Sequence, residues 1–222
     1  MNNIETIKQL FDCLNKNLDY LVLRNWDDLF EEKIYGDGHE DIDILCRDLD
    51  SFMNLTGGKP VFNSKYRNNY IVHIGILKVR FDVRFVGDGY YPQKWEDDML
   101  RNRKLNDAGV YIPSDEDYYY SLAYHALLQK PVFSEEYQKI VEEAYNVTTH
   151  LSQKLDTKEI RDMLIVFCSK NNYKVEIPSD PGVFLNLDNL KFFEVNRSFK
   201  RLIRKRLLSL SYKIKYILNK LF

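Results

Sequence analysis

Two aspartates in the first quarter of the chain, Asp41 and Asp43, have the type and spacing of metal ligands. They alternate with Ile42 and Ile44, and such alternation is typical of a β-strand with one polar face and one buried face. The two carboxylates would then lie on the same face, where they repel each other unless a cation is bound between them. Because hard divalent cations prefer oxygen ligands, the pattern predicts one half of a magnesium site.

A second alternating segment, residues 77–86, carries a third carboxylate. Its apolar face would consist of Val79, Phe81, Val83 and Phe85, and its polar face of Arg80, Asp82 and Arg84. One interpretation is an edge strand whose polar face is in water. Another is that the arginines contact phosphate oxygens beside a metal site, or that one of them only pairs with Asp82 and holds the strand.

The strand with Asp41 and Asp43, preceded by Gly36 and Gly38 and followed by Asp82, resembles the nucleotidyltransferase superfamily typified by DNA polymerase beta. The resemblance implies that Asp41 and Asp43 bind two Mg²⁺ ions. It also implies that Asp82, on an adjacent strand, binds the ion that activates the attacking hydroxyl. All three aspartates are therefore candidate catalytic and metal-binding residues.

The resemblance covers roughly residues 18–90, with one departure. The superfamily carries Gly-Ser or Gly-Gly at the end of its first strand, where this chain has Arg24 and Asn25. Either these two side chains replace backbone contacts to a triphosphate, or the donor is not a standard triphosphate. The candidate substrate- and phosphate-binding residues are Arg24, Asn25, Gly36, Gly38, Arg80 and Arg84.

Three segments give a narrower resemblance, to small proteins from bacterial surface-polysaccharide gene clusters: Val22–Trp26, Val83–Tyr91 and Tyr120–His125. This resemblance implies transfer of a nucleotidyl or phospho-alcohol group from a nucleotide donor to a sugar or glycan acceptor, which could be lipid-linked. Two alternatives stay open. One is a nucleotidyltransferase that modifies a protein, an RNA or a small molecule, and the other is a degenerate nucleotide-binding scaffold.

The periodicity of the chain predicts an α+β fold, with a nucleotidyltransferase-like mixed sheet flanked by helices. The predicted division is a catalytic domain at 1–110, a helical domain at 111–190 and a C-terminal helix at 191–222. Ser114, with acids after it, is expected to begin the helical domain. The acidic run at Glu96–Asp98 is expected to be a solvated helix face, and His125 either a core residue or a substrate contact.

Charge is distributed unevenly along the chain. Residues 197–222 hold nine of the 32 basic side chains and no acid, so the rest of the chain has 23 basic against 33 acidic side chains. The tail has the pattern of a cationic amphipathic helix, which predicts contact with an anionic membrane surface or packing against the acidic body. The acidic body disfavours nucleic-acid binding. Scattered cysteines and no signal-peptide pattern predict a cytoplasmic protein, peripheral on the inner face of the membrane if the tail binds there.

Overall fold

The computed structural model describes residues 4–31, 35, 41–62 and 67–196. These residues form an α+β fold in which a five-stranded mixed sheet is flanked by helices, so the predicted fold class is confirmed. In chain order the elements are α1 (Ile7–Asn17), β1 (Tyr20–Val22), β2 (Asp41–Cys46), α2 (Leu49–Thr56), β3 (Lys59–Pro60), β4 (Asn69–Ile74), β5 (Leu77–Phe85), α3 (Gln93–Asn102), β6 (Lys104–Leu105), β7 (Tyr111–Ile112), α4 (Asp115–Leu128), α5 (Glu135–Thr149), α6 (Thr157–Asn171) and α7 (Leu187–Leu190).

The sheet has the strand order β1-β2-β5-β4-β3, with β5 at its centre. β5 pairs in parallel with β2 on one side and antiparallel with β4 on the other. The interpretation of β5 as an edge strand is therefore wrong, because both of its edges pair with neighbouring strands. β4 and β5 form a hairpin in which Gly75 has a φ of 53°, in the left-handed region that glycine adopts without strain.

One face of the sheet packs against α1 and α2. Alternate strand residues, including Val22, Ile44 and Phe81, are fully buried in this core. Phe52 of α2 packs on Phe81, with the ring centres 5.5 Å apart. Because side chains alternate along a strand, the intervening residues of β2 and β5 point to the opposite face. That face carries the charged residues.

The helical unit α4–α6 packs on the charged face of the sheet, opposite α1 and α2. The side chain of Ser114 accepts a hydrogen bond from the Asp117 backbone N–H and caps α4, as the sequence predicts. One buried cluster contains helical residues together with Leu21 and Leu45 from the sheet. The helices and the sheet therefore share a core, and the division into domains at residues 110 and 111 stays a prediction.

Two predicted features lie outside the described residues. They are the glycine-bearing approach with Gly36 and Gly38, and the basic segment 197–222. Within the part of the chain that the structure describes, no helix combines the length and apolarity needed to cross a bilayer.

Candidate active site

The three predicted carboxylates come together because β2 and β5 run in parallel. In this register Asp43 lies directly opposite Asp82, and Asp41 lies opposite Arg80. All four residues line one cleft, on the charged face of the sheet. A period of two residues in each strand thus places Asp41 and Asp43 on the same face as Asp82, which lies 39 residues after Asp43 along the chain.

Two arginines pair with these acids. Arg24 Nε lies 2.6 Å from Asp43 Oδ2, and Arg84 Nη2 lies 2.6 Å from Asp82 Oδ2. The Arg84 side chain is only 6 % exposed, and its Nη1 also lies 3.3 Å from Asp180 Oδ2. The interpretation in which one arginine holds Asp82 is therefore confirmed for Arg84. The sequence predicts that Arg24 contacts phosphate, but its Nε donates a hydrogen bond to the Asp43 carboxylate.

The carboxylates share a poorly solvated and crowded region. Burial raises the pKa of Asp41 above its usual value, the charge of Asp43 raises it further, and Arg80 and Arg24 oppose these effects. Burial likewise raises the pKa of Asp82, Arg84 opposes the shift, and Asp43 adds to it. Negative charge in this region is therefore costly even with the arginines in place.

The carboxylate oxygens on this face are ligands of the type that a hard cation such as Mg²⁺ prefers. Asp82 Oδ1 is buried and has no hydrogen-bond partner among the described residues, so one carboxylate oxygen is left for a further positive group. Over the same residues, however, no group of three or more His, Cys, Asp or Glu side chains is arranged closely enough to hold a metal ion. Arg24 and Arg84 each contact one carboxylate oxygen, of Asp43 and Asp82 respectively.

The cleft has a volume of about 690 Å³ and nearly balanced charge. Among the described residues that line it are five basic side chains, Arg24, Arg67, Arg80, Arg84 and Lys130, and five acidic ones, Asp41, Asp43, Asp82, Glu136 and Asp180. An anionic substrate would therefore gain little net attraction from the side chains alone. A bound divalent cation would give the cleft a net positive charge, which would attract anions.

Asp180 is a residue of the site that the sequence did not indicate. It lies in the irregular segment after α6, is 2 % exposed, and its Oδ2 accepts a hydrogen bond from the Asn68 backbone N–H at 3.3 Å. Its Oδ1 lies 3.5 Å from Arg67 Nε. Gly182 allows this approach, because a Cβ there would collide with the Arg67 guanidinium unless that side chain moved. The segment thus returns to the sheet and fixes two cleft arginines.

The predicted residues Arg80 and Asn25 also line the cleft. Arg80 Nε is buried without a hydrogen-bond partner among the described residues, as expected of a group that binds a ligand. Asn25 has a φ of 58°, in the left-handed region.

Asn25→Gly is expected to leave the free energy of unfolding within about 0.5 kcal/mol of wild type, whereas Asn25→Ala lowers it by about 1 kcal/mol. The Cβ of asparagine and of alanine approaches the following carbonyl in this conformation, but only asparagine has a short polar side chain that can compensate by local hydrogen bonding, and glycine has no Cβ. Urea denaturation measures both values. Equal stability of the alanine and glycine variants would contradict the strained backbone at this position.

The turn after β5 is held by a buried glutamate. Glu96 Oε2 accepts a hydrogen bond from the Gly87 backbone N–H at 2.7 Å, and Oε1 accepts one from the Tyr91 N–H at 3.0 Å. Asp88 accepts a hydrogen bond from the Tyr90 N–H, and burial raises the pKa of Asp88 to about 6. The prediction of a solvated face is therefore wrong for Glu96, whose exposure is 0 %.

Glu96 should make folding stability fall as the pH rises. Burial raises the pKa of Glu96 well above its usual value, although the Gly87 and Tyr91 N–H groups oppose the shift. Above about pH 4.5 the unfolded chain loses this proton first, so the folded state binds more protons and loses stability, by at most about 1.4 kcal/mol per pH unit. Glu96→Gln should flatten the slope of unfolding free energy against pH, and the exposed Glu135→Gln should not. Equal slopes in all three proteins would contradict this.

Comparison of the chain with protein-family models, with curated proteins and with solved structures finds no match in any of the three. The resemblance to nucleotidyltransferases therefore rests on the residues quoted above.

Proposed function

We propose that the chain is a magnesium-dependent enzyme of the nucleotidyltransferase type. It would transfer a nucleotidyl or phospho-alcohol group from a nucleotide donor to a sugar or glycan acceptor in bacterial surface-polysaccharide synthesis. The observation that carries the proposal is the pairing of Asp43 with Asp82 across two parallel strands, with Asp41 on the same face of the same cleft. Phosphoryl transfer needs charge neutralisation and alignment of the reactants more than covalent chemistry, and such a cleft suits it.

In this proposal Asp41, Asp43 and Asp82 hold Mg²⁺, which when bound would stabilise charge on the transferred group and activate the acceptor hydroxyl. Arg24 and Arg84 hold the Oδ2 atoms of two of these acids and so orient their carboxylates. Arg80, whose Nε has no hydrogen-bond partner among the described residues, would bind a phosphate oxygen of the donor.

The helical side of the cleft suits the acceptor. It contributes the aromatic side chains of Tyr118 on α4 and Tyr137 on α5 and the carboxylate of Glu136, and Phe184 adds a third aromatic ring from the irregular segment after α6. Flat apolar faces with nearby hydrogen-bonding groups can hold a sugar ring.

If the acceptor is lipid-linked, the basic segment 197–222 would keep the enzyme at an anionic membrane surface, on the inner face of the cell membrane. Binding of the full chain to anionic vesicles, lost at high salt and weakened by Arg204→Gln with Arg206→Gln, would support this part of the proposal. Equal binding to neutral vesicles would contradict it.

A second candidate function follows from the two arginine–carboxylate pairs. Arg24 and Arg84 already neutralise Asp43 and Asp82, as they would in a domain that binds an anionic ligand without metal chemistry. Such a domain would bind a nucleotide equally well with and without Mg²⁺ and would transfer nothing.

Calorimetric titration separates the two functions. Nucleoside triphosphates and nucleotide-linked sugars or alditols are titrated into the protein with Mg²⁺ and with EDTA. The enzyme proposal predicts that one donor class binds only with Mg²⁺ and that its phosphorus-containing group appears on a sugar acceptor. Equal binding in EDTA would favour the binding domain, and no binding of any donor in Mg²⁺ would overturn both.

A further inference from the structure

Tyr90 contacts both arginine–carboxylate pairs of the cleft, one through its hydroxyl and the other through its ring. Arg24, whose Nε pairs with Asp43, donates a hydrogen bond from Nη2 to Tyr90 Oη at 3.1 Å. The guanidinium carbon of Arg84, the partner of Asp82, lies 4.3 Å from the centre of the Tyr90 ring. Tyr90 lines the cleft although it is only 3 % exposed. Its hydroxyl is therefore held beside the carboxylates in one position.

Gln129 determines which nitrogen of His125 carries a hydrogen. The Gln129 Nε2 donates to the Tyr90 backbone carbonyl at 2.6 Å, so Oε1 is the atom that faces His125 Nδ1 at 2.9 Å. An amide oxygen can only accept, and Nδ1 must therefore carry the hydrogen. This tautomer is assigned from the hydrogen-bond network. His125 Nε2 then accepts from the Tyr137 hydroxyl at 3.3 Å.

The imidazole of His125 is neutral and has only this one N–H. Burial lowers its pKa well below the usual range, and Arg24 lowers it further. Its Nδ1 also lies 2.9 Å from Tyr90 Oη, so the N–H is shared between the Gln129 and Tyr90 oxygens. Tyr90 Oη thus accepts hydrogen bonds from two donors, Arg24 Nη2 and His125 Nδ1.

With both lone pairs engaged, the hydroxyl hydrogen of Tyr90 has no acceptor among the described residues. We infer that Tyr90 donates this hydrogen to a phosphoryl oxygen of the substrate, and that His125 and Gln129 position the hydroxyl for that contact. The inference rests on the proposed function for the identity of the ligand. Burial raises the pKa of Tyr90, with Arg24 and Arg84 opposing, so the phenol keeps its hydrogen. Nearby guanidinium groups favour an anionic oxygen as the acceptor.

The first test is the tautomer of His125, which needs no substrate. Long-range ¹H–¹⁵N NMR of the full chain distinguishes Nδ1–H from Nε2–H, and a His125→Gln variant assigns the signals. We expect the neutral Nδ1–H form, and Tyr137→Phe should shift only the Nε2 resonance. An Nε2–H tautomer would overturn the inference, because Tyr90 would then donate its hydrogen to His125.

The second test is the affinity for inorganic pyrophosphate in Mg²⁺, measured by calorimetry. Tyr90→Phe is expected to weaken binding about tenfold, the effect of losing one hydrogen bond to a charged group. Tyr145→Phe makes the same chemical change on α5, away from the cleft, and should bind as wild type does. Unchanged affinity in Tyr90→Phe would overturn this inference alone. Failure of the wild-type protein to bind pyrophosphate or any nucleotide would overturn the proposed function as well.

Discussion

Asp43→Asn should reduce Mg²⁺-dependent group transfer by about 1,000-fold or more. The carboxylate lies opposite Asp82, and its replacement removes one negative charge from the proposed cation site. Metal-ion catalysis supplies several kcal/mol of transition-state stabilisation, and about 4 kcal/mol corresponds to a factor of 1,000 in rate. The measurement is the rate of product formation at saturating donor, together with Mg²⁺ affinity by calorimetry.

Folding of the Asp43→Asn protein is the necessary control. Asparagine keeps the shape of the side chain, and its Oδ1 can still accept the hydrogen bond that Arg24 donates. Asp107→Asn makes the same change at an exposed position between β6 and β7 and should keep full activity. If Asp43→Asn binds Mg²⁺ and turns over as wild type does, Asp43 is not a metal ligand.

Arg84→Met should lower the free energy of unfolding by about 3–5 kcal/mol, because it leaves buried carboxylates without their partner. Arg84 pairs with Asp82 at 2.6 Å and with Asp180 at 3.3 Å, and the side chains of Arg84 and Asp180 are 6 % and 3 % exposed. Methionine fills much of the same volume, so the loss reports chiefly the charge. Urea denaturation at neutral pH measures this change in the free energy of unfolding.

Arg101→Met is the matched control for this prediction. Arg101 pairs with Asp98 at the same distance of 2.6 Å, but its side chain is 70 % exposed. Loss of such an exposed arginine costs about 0–1 kcal/mol, because water solvates Arg101 and Asp98 keeps the hydrogen bond from the Tyr173 hydroxyl. A loss of similar size in Arg84→Met and Arg101→Met would show that burial of the Arg84 pairs has no energetic consequence.

The spacing of Asp41, Asp43 and Asp82 was readable from the sequence because side-chain direction in a strand is a local property. A period of two residues assigns each aspartate to a face whatever the neighbouring strands are. The position of β5 in the sheet was not readable in this way. Alternation of polar and apolar residues reports which face of a strand is buried and not whether its edges are paired. β5 is central because it pairs with β2 and β4, and its polar face lines a cleft.

Glu96 and Asp180 could not be predicted because their partners are distant in sequence. Asp180 accepts a hydrogen bond from Arg84, which lies 96 residues earlier in the chain, and the segment around Asp180 has no periodicity that would predict the contact. Glu96 lies in an acidic run of the kind that usually faces water, and only the fold of the preceding turn buries it. Patterns within a single sequence carry little information about contacts between residues that are distant in that sequence. The turn Pro181-Gly182 was a visible signal of irregular backbone but not of a site.

The parallel pairing of β2 with β5 also has a consequence for the order of folding. The two strands cannot join through a short turn, so α2, β3 and β4 must be accommodated while a long loop closes. Closing it places Asp43 directly against Asp82, and like charges opposite each other disfavour strand pairing. Since Arg24 and Arg84 offset this repulsion, we expect the pairing of β2 with β5 to depend on their being in place and to form late in folding. We therefore expect the acids that line the cleft to slow the folding of the protein that carries them.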